Sequence, residues 1–124
     1  MNDTRRQCFA LDLVDDADLI AEYERYHKPD KIWPAITASI RKAGIVDMEI
    51  YRVGDRLFMI MEVTPEFDPA AKTISDSNDP DVIAWEKLMW RFQQPLPSAE
   101  EGEKWLQMKR IFSLTETPDD VSGG

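Results

Sequence analysis

His27 is the single histidine of this chain, and Tyr23 stands four residues before it in Glu22-Tyr23-Glu24-Arg25-Tyr26-His27-Lys28-Pro29. An imidazole titrates near neutrality, so it can take and return a proton at working pH. On a helix, positions four apart project from one face. Phenol and imidazole would then stand together, with Pro29 reversing the chain and Trp33 following as part of a small polar pocket. The blander reading is a packed, half-exposed histidine on a helix, and spacing alone leaves both readings open.

Other residues could join such a pocket. Glu49 and Tyr51 share one face of a strand, opposite Met48, and Trp85 precedes Glu86 on a later helix. Flat aromatic faces pack on sugar C–H groups, and carboxylates accept hydroxyl protons, so this set suits a carbohydrate. Against it stands a core Trp85 with solvated Glu49 and Glu86. No glycine-rich phosphate loop and no Gly-x-Ser-x-Gly elbow is present. One cysteine and one histidine cannot build a zinc finger or a histidine-rich metal centre. Cys8 falls in an apolar run, where it reads as buried and inert rather than as a nucleophile for His27. Asp79 and Asp81 flank a proline and read as helix-capping residues, and Met59 and Met61 as core. These residues therefore give no sign of a metal site.

With 124 residues the chain suits one domain, with a core over about residues 6–114 and a polar, disordered tail at 115–124. The net charge is -9, from 24 acidic and 15 basic side chains, which argues against nucleic acid and against an anionic membrane as partner. A neutral small molecule such as a monosaccharide is compatible with it. A lone cysteine, no signal-peptide pattern and no long apolar run together suggest a cytoplasmic protein.

The elements that must hold these residues can be traced in order. Gln7–Val14 alternates as a strand. Asp15-Asp16 caps a helix running to about His27, where Pro29 stops it. Pro34 opens a second helix that closes at Gly44. Residues 45–53 and 56–63 form two strands around the Gly54-Asp55 turn. Thr64–Asn78 is turn-rich, with a short helical piece at Pro69–Lys72. Asp79-Pro80-Asp81 starts a helix carrying Val82, Trp85, Leu88, Met89 and Phe92. Pro95 and Pro97 close it, and Lys104–Leu114 reads as the last strand. That order fits an α+β, ferredoxin-like sandwich with a four-stranded antiparallel sheet and helices on one face. The unbroken apolar run Leu57-Phe58-Met59-Ile60-Met61, in the strand that ends at Val63, suggests that the other face is also covered, most simply by a second copy, so a homodimer is expected.

Together these motifs resemble a known family. Tyr23-x-x-x-His27, Ile32-Trp33-Pro34, Gly44-Ile-Val-Asp-Met48-Glu49-Ile50-Tyr51, Leu57-Phe58 and Trp85-Glu86-Lys87-Leu88-Met89 arrive in the order of the L-rhamnose mutarotase family, closer to its L-fucose branch. The resemblance covers about residues 6–114 and implies a dimeric α/β-barrel that interconverts the α and β anomers of a 6-deoxy-hexose without a cofactor. It implies His27 as the proton donor and Tyr23 as a sugar-binding residue, and it places Trp85 and Glu86 at the family's paired tryptophans. Two positions depart from the rhamnose pattern: Glu86 replaces an aromatic residue, and Met48 replaces a sugar-binding tyrosine. The spacer from His27 to Trp33 is also longer.

Mutarotation opens a hemiacetal: the ring oxygen gains a proton and the anomeric hydroxyl loses one. Protonated His27 would donate, and Glu49 is the expected partner, ahead of Glu86 and Tyr23. Tyr23, Met48, Trp85, Glu86 and Trp33 would bind the sugar. The altered wall favours L-fucose over L-rhamnose. The rival is a non-catalytic or monooxygenase-like dimer of the same outline, which fold alone does not separate.

Overall fold

The computed structural model describes residues 3–118. Its elements follow the expected order: β1 (Arg5–Leu13), α1 (Ala17–Tyr26), α2 (Pro34–Lys42), β2 (Ile45–Val53), β3 (Arg56–Val63), α3 (Pro69–Ser77), α4 (Pro80–Met89), β4 (Gln93–Gln94) and β5 (Leu106–Gln107). The sheet runs β2-β3-β1-β4, with β5 also on β1, and every pairing is antiparallel. This is the strand order of the ferredoxin-like α+β sandwich.

Local chemistry accounts for most boundaries. Asp16 caps α1 by accepting from the backbone N–H groups of Asp18 and Leu19, each at 3.0 Å, and Asp79 caps α4 in the same way. Pro34 and Pro80 occupy first-turn positions, where a missing N–H costs nothing. Gly44, at φ 97°, ends α2 in a conformation that a side chain would strain. Gly54-Asp55 closes the β2–β3 hairpin.

Strand register sorts the sheet into two faces. Leu11, Leu13, Leu57, Met59, Met61 and Val63 are buried on the helix side. There Leu13 and Leu57 meet Tyr23, Ile36, Val82, Trp85, Met89 and Phe92. A bulge at Val46 lets Ile45 and Met48 share that face although three positions separate them. The far face carries Cys8, Ala10, Phe58, Ile60, Glu49, Tyr51 and Val53. Phe58 and Ile60 are only half-buried, so the expected cover on both faces is not supplied by the described residues.

Three expectations change. The last strand was expected over Lys104–Leu114, but only Leu106–Gln107 pairs with β1; beyond it Ile111 and Phe112 are 90% and 68% exposed, because no strand among the described residues lies beside them. The outer edge of β1 is instead shared with β4, a two-residue strand. Its anchor is Phe92, 1% exposed: burying such a ring is worth ~1.5–3 kcal/mol, more than the ~0.5–1.5 kcal/mol net of one ladder hydrogen bond. The helical piece expected at Pro69–Lys72 extends to Ser77. The expected tail at 115–124 begins with a 3-10 turn, Leu114–Glu116, and residues 119–124 lie outside the described residues. Among the described residues no helix is long and apolar enough to cross a membrane.

Candidate active site

A cavity of about 590 Å³ opens between the helices and the helix-side face of the sheet. This volume lies in the range of small-molecule sites. Tyr23, His27, Met48, Trp85 and Glu86 all line it, joined by Ile36, Met89, Gln93 and Trp105.

α1 delivers the central pair. Lys28 precedes a proline, which disfavours a further helical turn, so α1 ends at Tyr26 and His27 is its C-cap. The two rings lie 4.4 Å apart between centroids, tilted by 35°. His27 Nδ1 is 2.7 Å from the carbonyl oxygen of Tyr23. A carbonyl only accepts, so Nδ1 carries the proton and Nε2 is left with a lone pair. Burial lowers the pKa of His27 from its ordinary value, and the carbonyl contact offsets this only in part. The lowered pKa and the Nδ1 contact favour a neutral imidazole with Nε2 as acceptor, where the sequence pointed to a protonated donor.

Tyr23 is 4% exposed, and its phenol is pushed up to about 12, by burial first and then by the nearby charge of Glu86, against a lowering contact with Gln93. It keeps its proton across the working range. Gln93 Nε2 donates to Tyr23 Oη at 3.5 Å, which leaves the phenolic proton free to point elsewhere.

The aromatic wall is more enclosed than the sequence suggested. Trp85 is 6% exposed, with His27 at 5.5 Å, Tyr26 at 6.3 Å and Trp33 at 5.1 Å, all edge-on. It contributes wall and holds the His27 ring from behind, rather than lying open as a platform. Trp33 does not line the cavity. It caps α2 and supports Trp85.

Glu49 is not brought to this site. It pairs with Ile60 while Met48 pairs with Met61, and adjacent strand residues face opposite ways. Glu49 is exposed on the far face and accepts a hydrogen bond from Tyr51 at 3.2 Å. The cavity's own carboxylate near Tyr23 is Glu86, whose Oε2 takes a hydrogen bond from Lys104. Among the described residues no group of three or more His, Cys, Asp or Glu side chains could hold a metal ion.

Gln93 escaped the sequence reading. Two glutamines between a helix and a proline look like loop, and the one available signal was a polar pair directly after a buried aromatic. Its backbone pairs with Leu13, which turns its side chain to the helix face beside Tyr23.

Comparison with known proteins places the chain. A family profile for L-rhamnose mutarotase matches residues 6–114. An L-fucose mutarotase from Xanthomonas campestris pv. campestris is 54% identical over 112 residues, covering 90% of each chain. A relative from Dictyostelium discoideum is 36% identical over 109 residues, covering 85% of this chain and 86% of that one. The crystal structure of an L-rhamnose mutarotase from Formosa agariphila superposes with a TM-score of 0.64 at 18% identity, covering 89% of this chain and 98% of that one. At that identity the likeness establishes the fold.

Proposed function

The chain belongs to the L-rhamnose mutarotase family, and from that premise we propose that it interconverts the α and β anomers of L-fucose in preference to L-rhamnose. Family membership makes it an isomerase and sets aside the monooxygenase-like and non-catalytic readings. The observation that carries the mechanism is the Tyr23–His27 pair, a proton donor and a proton acceptor with rings 4.4 Å apart at one cavity.

Ring opening then proceeds in balanced steps. His27 Nε2 takes the anomeric hydroxyl proton. As C1=O forms, the C1–O5 bond breaks and O5 takes the proton of Tyr23 Oη. A phenol at about 12 is acid enough to protonate a departing alkoxide, and Gln93 Nε2 steadies the phenolate. Rotation about C1–C2 presents the other carbonyl face. Closure runs the same transfers backwards, so no group is consumed and the chemistry asks for no cofactor. Tyr23 thereby takes the partner role expected of Glu49.

Glu86 and Met48 form the part of the wall that departs from the rhamnose pattern, and the 54% identical relative is named for L-fucose. A carboxylate that accepts from one hydroxyl loses its partner when the sugar presents that hydroxyl elsewhere. We further propose a homodimer, supported by Tyr51 and Val53, 53% and 78% exposed on the far sheet face, and by the unpaired Ile111 and Phe112. With a free Cys8 and an acidic chain, a cytoplasmic location suits it. Saturation-transfer NMR between the anomeric proton signals of L-fucose, L-rhamnose and D-sugars tests the assignment. Fastest exchange with L-fucose is expected, and faster exchange with L-rhamnose overturns it.

A further inference from the structure

Gln93 is 6% exposed, yet its Oε1 has no hydrogen-bond partner among the described residues, while its Nε2 donates to Tyr23 Oη. Buried polar atoms in native proteins are nearly always satisfied, so an orphan of this kind asks for a partner that binds. The side chain lines the same cavity as Tyr23 and His27. Its backbone is fixed by pairing with Leu13, and the carbonyl of Phe92 next to it accepts from Val14 N–H at 2.8 Å. The amide is therefore held on a sheet edge rather than on a loose loop.

We infer that Gln93 is a specificity-determining residue of the sugar site, whose Oε1 accepts a hydrogen bond from one non-reacting hydroxyl of the substrate while Nε2 orients the Tyr23 hydroxyl. This rests on the mutarotase reading of the cavity. A single amide then couples recognition to chemistry: a sugar with a hydroxyl in the right place fills Oε1 and holds the amide plane that aims the Tyr23 proton. The 3.5 Å contact to Tyr23 is long, as such contacts are in unliganded sites, and shortens once both amide ends are engaged.

The test measures kcat/KM for anomer exchange of L-fucose and of its 2-deoxy, 3-deoxy and 4-deoxy analogues by the wild-type protein and by Gln93→Leu, with Gln93→Met as a second variant. Wild type is expected to lose about ten- to a hundred-fold on one analogue, as for a buried acceptor left without its partner. Gln93→Leu is expected to lose at least a similar factor on L-fucose, and its ratio of kcat/KM between L-fucose and that analogue is expected to collapse towards one. Its melting temperature should not fall, since the orphaned oxygen is gone. If the variants keep the full analogue penalty of the wild type, the inference is overturned. The same holds if either variant melts lower and loses activity equally on all four sugars, because Gln93 is then structural. A wild-type protein that exchanges none of these sugars refutes the mutarotase reading itself, a separate result.

Discussion

Replacing Tyr23 by Phe separates two roles that the geometry joins. The ring is the buried part: it lies 4.4 Å from His27 and 5.9 Å from Phe92 between centroids. Tyr23→Phe keeps those contacts and removes only Oη. If that hydroxyl merely binds sugar, its loss costs the ~0.5–1.5 kcal/mol of a neutral hydrogen bond, about two- to thirteen-fold in rate. If it hands a proton to the ring oxygen, its loss costs about 10²–10⁴-fold, as for a general acid. These ranges do not overlap. Anomer exchange of L-fucose should be followed by saturation-transfer NMR over a range of sugar concentrations near pH 7.5. The expected result is a drop in kcat of at least about a hundred-fold with KM little changed. Gln93 Nε2 also loses its acceptor, so the variant should be less stable by about 1–3 kcal/mol, and calorimetry checks that it remains folded at the assay temperature. A folded Tyr23→Phe protein whose kcat falls by less than about ten-fold would refute Tyr23 as the proton donor.

His27→Ala should lower exchange by about two to four decades, and NMR exchange at the wild-type rate in that variant removes His27 from the mechanism. In the wild type, burial sets the His27 pKa below its ordinary value of 6.5. Activity should therefore rise through an apparent pKa below 6.5 and stay level above it, since Tyr23 at about 12 keeps its proton; a pH–rate midpoint above 6.5 contradicts this. The same shift contributes to stability. The folded state binds the proton less readily than the unfolded one, so this contribution is complete above pH 6.5 and is lost as pH falls through the lower folded value, measurable by urea titration across pH 5–8. Glu86→Trp should move the preference from L-fucose towards L-rhamnose, and an unchanged ratio of the two exchange rates shows that Glu86 does not set it. Light scattering at micromolar concentration should give twice the chain mass, and Val53→Glu should reduce it; a fully active monomeric wild type sinks the shared-sheet dimer.

The legible parts of the fold were those fixed by neighbours in sequence. Asp16 and Asp79 cap their helices through N–H groups two and three residues on, and Gly54-Asp55 closes a hairpin whose strands alternate. The Tyr23–His27 pair was legible for the same reason, because a helical turn carries it. β4 was not. Gln93–Gln94 has no alternation and exists because Phe92 is buried and β1 has an open edge, neither of which is written in the segment itself. The reverse happened at residues 109–114, where alternation is present but no described strand pairs with them. α3 was underestimated because Thr73, Ser77 and Asn78 read as turn residues. In place they bond back to the carbonyls of Pro69 and Ile74, which satisfies them within the helix. Glu49 failed on a rule visible beforehand: it is the sequence neighbour of Met48 in a strand, and only one of the two can face a cavity on the helix side.

The division of labour inside the cavity explains how the sugar can change while the reaction stays. The proposed reacting pair, Tyr23 and His27, comes from one end of α1, and its orientation is set by a carbonyl of its own helix and by Gln93. The departures from the rhamnose pattern lie on β2 and α4, so Met48 and Glu86 can vary without disturbing the histidine tautomer. Glu86 also arrives with its own support. Lys104, its side chain 15% exposed and its ammonium 4.8 Å over the Trp90 ring, engages Oε2 of Glu86. With the Glu86 side chain 50% exposed, that pair adds only ~0–1 kcal/mol to stability. Its consequence is geometric: it holds the carboxylate by Oε2 and leaves Oε1 free for the sugar hydroxyl of the proposed site. Lys104→Met should therefore leave the melting temperature within about 4 °C yet narrow the L-fucose to L-rhamnose ratio of exchange rates. A ratio that survives this substitution would show that Glu86 needs no partner to read the sugar.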